Sequence, residues 1–379
     1  MADESSTRFL AEVRSFAHDV VAGDAAVWAR GQNPDPSIFA RAAEIGLTRI
    51  EIPAQSGGLG YGFRVKVEAC AILAAADFGL AMSLVNTHNV AKRIAITAPA
   101  PVSSVLLPDL LSGRVSACTA LTEPGAGSDA AAMACRAERT SGGWLLDGEK
   151  TWIVNARHAG LSIVYAQTGQ PGDGAGIAAF LVDLGQPTCE QYSIDSGISQ
   201  MGIGTGGFRL KSCFVPDERL LLPAGSAFKA ILEEINGARI YVAAMSCAMV
   251  STGLRLAHSY GETRQTFGKP LNQHPVWRQT LAQSATRLAA AWALIETALG
   301  IVEAGGDVRH LAAAAKVNAV SLAQAELPAL MHAMGAEGLR DHYPLTRHIG
   351  AAQLAALTDG STAMLLDRLA RWDPTPIPL

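Results

Sequence analysis

No two of the six cysteines, Cys70, Cys118, Cys135, Cys189, Cys213 and Cys247, stand in a C-x-x-C spacing, and most sit beside Ala, Val or Phe. That scatter argues against a disulfide framework or a thiolate metal centre. It reads as buried thiols in a reducing compartment, so a cytoplasmic location is expected. Charge imbalance is lacking too: 30 Lys+Arg and 34 Asp+Glu are spread along the chain for a formal net charge of −4. Neither nucleic acid nor an acidic membrane surface is expected as the main partner. The N-terminus "MADESSTRFLAEVRSF" is acidic and amphipathic where a signal peptide is basic and then apolar, so export is not expected. There is no internal repeat, and after residue 226 proline is sparse until "WDPTPIPL".

What is present is apolar residue, 49% of 379 positions, enough for a large core and for two or three domains. The most apolar runs, "RIYVAAMSCAMVSTGLRLA" and "LAAAWALIETALGIVEA", carry or abut charge at helical spacing and are rich in Ala. That composition suits tight helix packing in a bundle better than a membrane span. The pattern divides the chain into three. Residues 1–113 are helical in period, with Ser37 a candidate N-cap in "NPDPSIFARAAEIGL" and "IPAQSGGLGYGF" a Gly-rich turn between helices. Residues 114–225 change to a period of two. The runs "RVSACTALTE", "GWLLDGEKTWIVNA", "LSIVYAQTG", "GIAAFLVDL" and "FRLKSCFVP", split by Gly, Pro and Asp, predict an antiparallel sheet or small barrel. Residues 226–379 return to helix. Helices, then strands, then helices imply an α+β fold, not a doubly wound sheet. "GIGTGG" at 202–207 is therefore a loop: it leads into a strand, and no helix follows to hold a pyrophosphate.

The densest chemical signal is "ALTEPGAGSD" at 120–129, directly after a predicted strand. Two glycines flank Ala126, and Ser128 and Asp129 follow, so backbone N–H groups and a hydroxyl can approach an anionic or electron-rich ligand together. With "KTWIVNA" at 150–156, "RQTFGKPL" at 264–271, "IPAQSGGLGYG" at 52–62 and "GAEGLRDHYPLTR" at 335–347, this string resembles the acyl-CoA dehydrogenase family along essentially the whole chain.

The resemblance implies an N-terminal helical domain, a central β domain, a C-terminal four-helix bundle, FAD at a subunit junction and a homo-oligomer, dimer or tetramer. It assigns Leu121 and Thr122 to the flavin pyrimidine edge, Ser128 to the flavin phosphates and the thioester, and Trp152 to the flavin face away from the substrate. Arg264 is assigned to the FAD pyrophosphate of a neighbouring subunit, and Phe267 to packing on the cofactor. Val154, His332, Gly335 and Ser361 fall at further cofactor positions, and Ser128, Arg239 and Gly360 at the substrate. Arg239 and Arg264 lie 25 residues apart in one helical stretch. That is about seven turns and roughly 37 Å on the same side, enough for one to serve the catalytic end and the other a distant cofactor end.

In this family a carboxylate removes the proton α to a thioester carbonyl while hydride leaves the β carbon for the flavin. The base follows a Tyr-Pro pair by about sixteen residues. Here Tyr343-Pro344 is followed at that place by Thr358-Asp359-Gly360-Ser361, so Asp359 is the matched acid. The alternative base of some relatives, one residue before the arginine, is absent: Ala238 stands there, and Glu233 and Glu234 are out of register. Asp is one methylene shorter than the usual Glu, a retreat of roughly 1.5 Å. A misplacement of about 1 Å can slow a reaction on the order of a hundredfold. Val154, Pro275, His332 and Ala363 also replace residues that relatives offer to the cofactor. The implied partners are an acyl-CoA or an acyl carrier protein and an electron-transferring flavoprotein, with oxygen as the alternative acceptor. Nitroalkane oxidases, which resemble the family and use an Asp base, supply an alternative activity, and a non-catalytic FAD-binding homologue is a third reading.

Overall fold

Apolar residues three and four apart wrap the N-terminal helices around one another. The first, α1 (Glu4–Phe16), runs through one π-helical turn into α2 (Ala22–Trp28), and α3 (Ser37–Glu44), α4 (Phe63–Ala74), α5 (Phe78–Thr97) and α6 (Ala100–Leu111) follow. The structure, a computed structural model, describes residues 4–28, 35, 37–198 and 204–371. Ser37 does not cap α3. It is the helix's first residue, and its amide donates to Asp35 Oδ1 at 2.9 Å, because a carboxylate two residues ahead meets the positive end of the helix first. The Gly-rich turn does join α3 to α4. Gly58 is required there, since a Cβ would lie 1.8 Å from the Ile52 carbonyl oxygen.

The central region is an eight-stranded sheet: β1 (Ala117–Ala120), β2 (Arg136–Thr140), β3 (Gly143–Ile153), β4 (Leu161–Gln167), β5 (Ile177–Asp183), β6 (Cys189–Ser193), β7 (Gly206–Pro216) and β8 (Leu220–Leu222). Its order is β6-β7-β3-β2-β4-β5-β8, with β1 parallel to β4 and most other pairs antiparallel. Every residue of β4 is buried because the strand divides two cores. Ile163 and Tyr165 face α5 and α6, whereas Val164 and Ala166 pack with Phe180, Phe208 and Cys213 inside the curled sheet. Of the "GIGTGG" loop, Gly202 and Ile203 lie outside the described residues, and Gly206 opens β7.

The C-terminal region packs α7 (Ala227–Thr263), α8 (Pro275–Glu303), α9 (Arg309–Ala333) and α10 (Leu345–Leu357), with α11 (Thr362–Ala370) against α9. Alanines at 312, 315, 319 and 323 are fully or almost fully buried along α9, letting it approach α7 closely. Two helices, α7 and α8, are long and apolar enough to cross a membrane. The most apolar window of α7 is 78% buried within the protein, as a core helix should be, whereas that of α8 is only 28% buried.

Candidate active site

The three carbonyls that end α10 and enter α11 are all claimed by buried cations. Lys316 Nζ, from α9, donates to the carbonyl oxygens of Thr358 and Gly360, and Arg239 Nε, from α7, donates to that of Asp359 between them at 3.0 Å. A helix C-terminus presents unpaired carbonyls and a partial negative charge, so cations are stabilising there. The turn needs the help. Asp359 has φ 54° and Gly360 φ 100°, two consecutive left-handed residues, and only the second is free of the side-chain penalty. Arg239 is itself fixed by Nη1 donating to Asn236 Oδ1 at 2.7 Å.

With its backbone held, the Asp359 carboxylate is left over. The residue as a whole is half-buried, but Oδ2 is shut off from solvent and has no hydrogen-bond partner. Desolvation pushes this carboxyl above the usual carboxylate range, against the opposing pull of Lys316 and Arg239. The cations feel the same dryness. Burial lowers Lys316 to about 8, partly offset by Asp359, and lowers Arg239 to about 10. Burial makes this carboxylate a better base, and the two cations keep part of it ionised and so able to accept a proton. The upstream acids are otherwise engaged: Glu234 pairs with Arg93, and Glu233 lies exposed beside Lys229.

The "TEPGAGSD" loop is built on a different principle. Glu123 is buried and saturated, accepting from the amides of Ala134 at 2.6 Å and Cys135 at 3.0 Å and from Lys150 Nζ at 2.7 Å. Lys150, wholly buried, also donates to the Leu121 carbonyl at 3.0 Å, and the Thr151 amide donates to that of Thr122. Leu121 and Thr122 are thereby tied to β3, while Gly125, Gly127 and Ser128 are exposed. A Cβ on either glycine would meet no atom of the chain, so the space beside this backbone is open to a ligand. At the end of β3, Trp152 is 59% exposed with φ 59°, an indole displayed in a strained conformation without cover from its own chain. Asn155, φ 69° and buried, anchors the same turn by donating to the carbonyls of Ser83 and Ala117, both at 2.9 Å. Val154 packs half-buried against the helical core.

The remaining predicted positions lie on the surface. Arg264 is the C-cap of α7 and exposed, and Phe267, on the short hairpin that follows, is 99% exposed with φ 49°. His332, in the last turn of α9, is exposed, and Gly335 beyond it has φ 62°. Ser361 Oγ caps α11, accepting from the Met364 amide at 3.2 Å. Its acceptor side is therefore engaged within the chain, leaving its hydroxyl proton for a ligand. The carriers of the two halves of this site, Lys316 and the Glu123–Lys150 pair, were not picked out as site residues from sequence.

Fold and site together define an α+β enzyme whose sheet offers, beyond its strand ends, an open backbone cradle and a largely exposed indole, and whose helical bundle holds a dry carboxylate. Residues 3–114, 118–213 and 225–372 match the N-terminal, middle and C-terminal domains of acyl-CoA dehydrogenase, and the chain belongs to that family. It is 31% identical over 332 residues to the acryloyl-CoA reductase (NADH) of Anaerotignum propionicum, covering 86% of this chain and 83% of the relative. Butyryl-CoA dehydrogenase from Megasphaera elsdenii superposes with a TM-score of 0.91 at 25% identity, over 98% of both chains. The fold is shared with PigA in its FAD complex, TM-score 0.91 at 21% identity and 98% of both chains. The protein is thus a flavin oxidoreductase of the class that acts on CH–CH groups, with FAD as its cofactor. The open glycine backbone and the uncovered Trp152 fit a large planar, anionic cofactor.

Proposed function

We propose that the chain oxidises the α,β bond of an acyl thioester, carried on CoA or on an acyl carrier protein, with Asp359 as the base that takes the α proton. The observation that carries this reading is the unpartnered, solvent-sealed Oδ2 of Asp359 on a turn clamped by Arg239 and Lys316. A carboxylate kept dry is a stronger base than one in water, and a clamped turn limits its wandering. FAD, when bound, supplies the two-electron acceptor for the β-carbon hydride. Leu121, Thr122, Ser128, Trp152, Val154, His332, Gly335 and Ser361 are the residues proposed to hold it, with Arg264 and Phe267 reaching the cofactor of a second copy. Arg239, Ser128 and Gly360 are proposed to line the thioester.

Several further readings go with this one. The exposed Phe267 and the thinly covered apolar window of α8 favour a homo-oligomer, dimer or tetramer, in which those faces are shared. Electrons leave to an electron-transferring flavoprotein or to oxygen. The location is cytoplasmic, and the domains divide at 113/114 and 225/226.

The short arm of Asp359 favours a second reading, a nitroalkane or another more acidic carbon acid, for which a less advanced base suffices. The experiment is anaerobic mixing of the FAD-loaded protein with acyl-CoAs, acyl carrier proteins and nitroalkanes while the oxidised flavin band is followed. Bleaching by a thioester is the expected result. Bleaching by nitroethane alone transfers the assignment to the second reading, and bleaching by none leaves an FAD-binding homologue without this chemistry.

A further inference from the structure

We propose that Lys316 is a positioning residue for the base: from α9 its ammonium clamps the two carbonyls that flank Asp359, and it supplies positive charge to a carboxylate that no hydrogen-bond donor reaches at Oδ2. This rests on the proposed role of Asp359.

Lys316 is wholly buried in a helix face of alanines, an expensive place for a cation unless it is used. A buried lysine of purely structural use normally finds an acid, as Lys150 finds Glu123 at 2.7 Å and Lys66 finds Glu51. Among the described residues Lys316 has no carboxylate within ion-pair distance; its hydrogen-bond partners are the carbonyls of Thr358 and Gly360. The acid on that turn, Asp359, is the one held between those two carbonyls. A side chain that bound the Asp359 carboxylate directly would hold the base by its own reacting oxygens. Binding the backbone on either side instead fixes the Cα–Cβ direction and leaves Oδ2 available.

The charges acting on Asp359 come from two helices packed against its turn. Arg239 and Lys316 both stabilise its anion, from α7 and α9. Tyr241 of α7 is a neighbouring buried phenol that the Asp359 charge keeps protonated, in addition to burial. Arg368 of α11 opposes the charge on Arg239. Burial disfavours the charged form of Lys316, Arg239 adds to that, and the Asp359 charge opposes it.

The test separates charge from tether. Lys316→Gln keeps two N–H donors and removes the charge; Lys316→Arg keeps the charge. The rate of flavin bleaching is measured against pH for each, with whichever carbon acid bleaches the unaltered chain. In Lys316→Gln the acid limb is expected to move up by about one to two pH units, the effect of one nearby opposite charge. Below that limb this is a tenfold loss of rate per unit. Lys316→Arg is expected to keep the original limb. A Lys316→Gln limb that coincides with that of the unaltered chain overturns the proposal, as does an Arg variant whose limb moves as far as that of Gln. Bleaching by nitroalkane but not thioester counts against the proposed substrate and leaves this test intact. A second measurement needs neither substrate nor a Lys316 variant: the infrared carboxylate band that Asp359→Asn removes is expected to change position as pH is raised from neutral into the alkaline range and Lys316, its basicity lowered by burial, gives up its proton. An invariant band overturns the proposal.

Discussion

Glu123 and Asp359 are both acids of the site region, and both lie beside a wholly buried lysine, yet they are treated in opposite ways. Glu123 accepts from two amides and from Lys150, so its charge is used up within the fold. Asp359 gives its backbone carbonyl to Arg239, while its Oδ2 is sealed without a donor. A carboxylate with both oxygens engaged by strong donors has little basicity to offer a substrate. One left desolvated costs stability and gains reactivity. The glycine loop proposed to hold the cofactor is thus braced by a satisfied acid, and the proposed chemistry is assigned to an unsatisfied one.

The largest way to break the contrast is Asp359→Asn. Loss of the base is expected to slow substrate-dependent bleaching by about 10²–10⁴-fold with FAD retained. A fully active variant removes Asp359 from the mechanism. The same change is expected to stabilise the fold at neutral pH. The carboxyl is raised in the folded chain, so folding binds its proton more tightly than the unfolded chain does. Stability therefore falls as pH climbs from the ordinary carboxylate value through the raised one, and stays lowered above it. Asn has no such dependence, so the melting temperatures of the two proteins should diverge as pH rises from 4 to 7, with the variant higher by about 1–3 °C. Glu123→Ala should do the reverse. It strands Lys150 as a buried unpaired cation, at a cost of about 3–5 kcal/mol by denaturant titration. An equal loss for the double variant Glu123→Ala, Lys150→Met sinks the idea that the stranded charge is the cause. Trp152→Ala is the smallest of the three: its side chain is largely exposed, so the FAD-free chain should change by less than about 0.5 kcal/mol. FAD affinity, read by fluorescence titration, should fall roughly two- to tenfold, the worth of an aromatic contact.

Much of the architecture was legible because it rests on period. The change from a helical repeat to alternation near residue 114 and back near 226 needs no tertiary information, and the sheet and bundle lie in those stretches. Strands such as β2, "RAERT", escaped notice because only Ala137 turns inward and the rest is charged or polar, leaving no alternating apolar signal. The convergence of Arg239 on the Asp359 turn across 120 positions was reachable through a known family's motifs, not through local pattern. Lys316 had no signal of either kind. In "LAAAAKVNAV" a lone lysine among alanines reads as the solvent side of a helix, and only the packing of α9 against α10 and α11 turns it inward. Glu123 stood inside the motif but was passed over, because its partners at 134, 135 and 150 become neighbours only when β2, β3 and the loop close together.

The length of α7 has a consequence for how this chain can vary. Arg239, a third of the way along α7, and the hairpin after Arg264, beyond its C-terminus, are joined by one unbroken helix of 37 residues. Losing a single residue between them would turn one end against the other by about 100° and shift it about 1.5 Å, carrying Phe267 to a different side of the molecule. Insertions and deletions that the surface loops absorb freely are therefore barred from this span. Changes of length here should survive only in steps close to whole turns, so α7 acts as a ruler on which the spacing of the two arginines is marked.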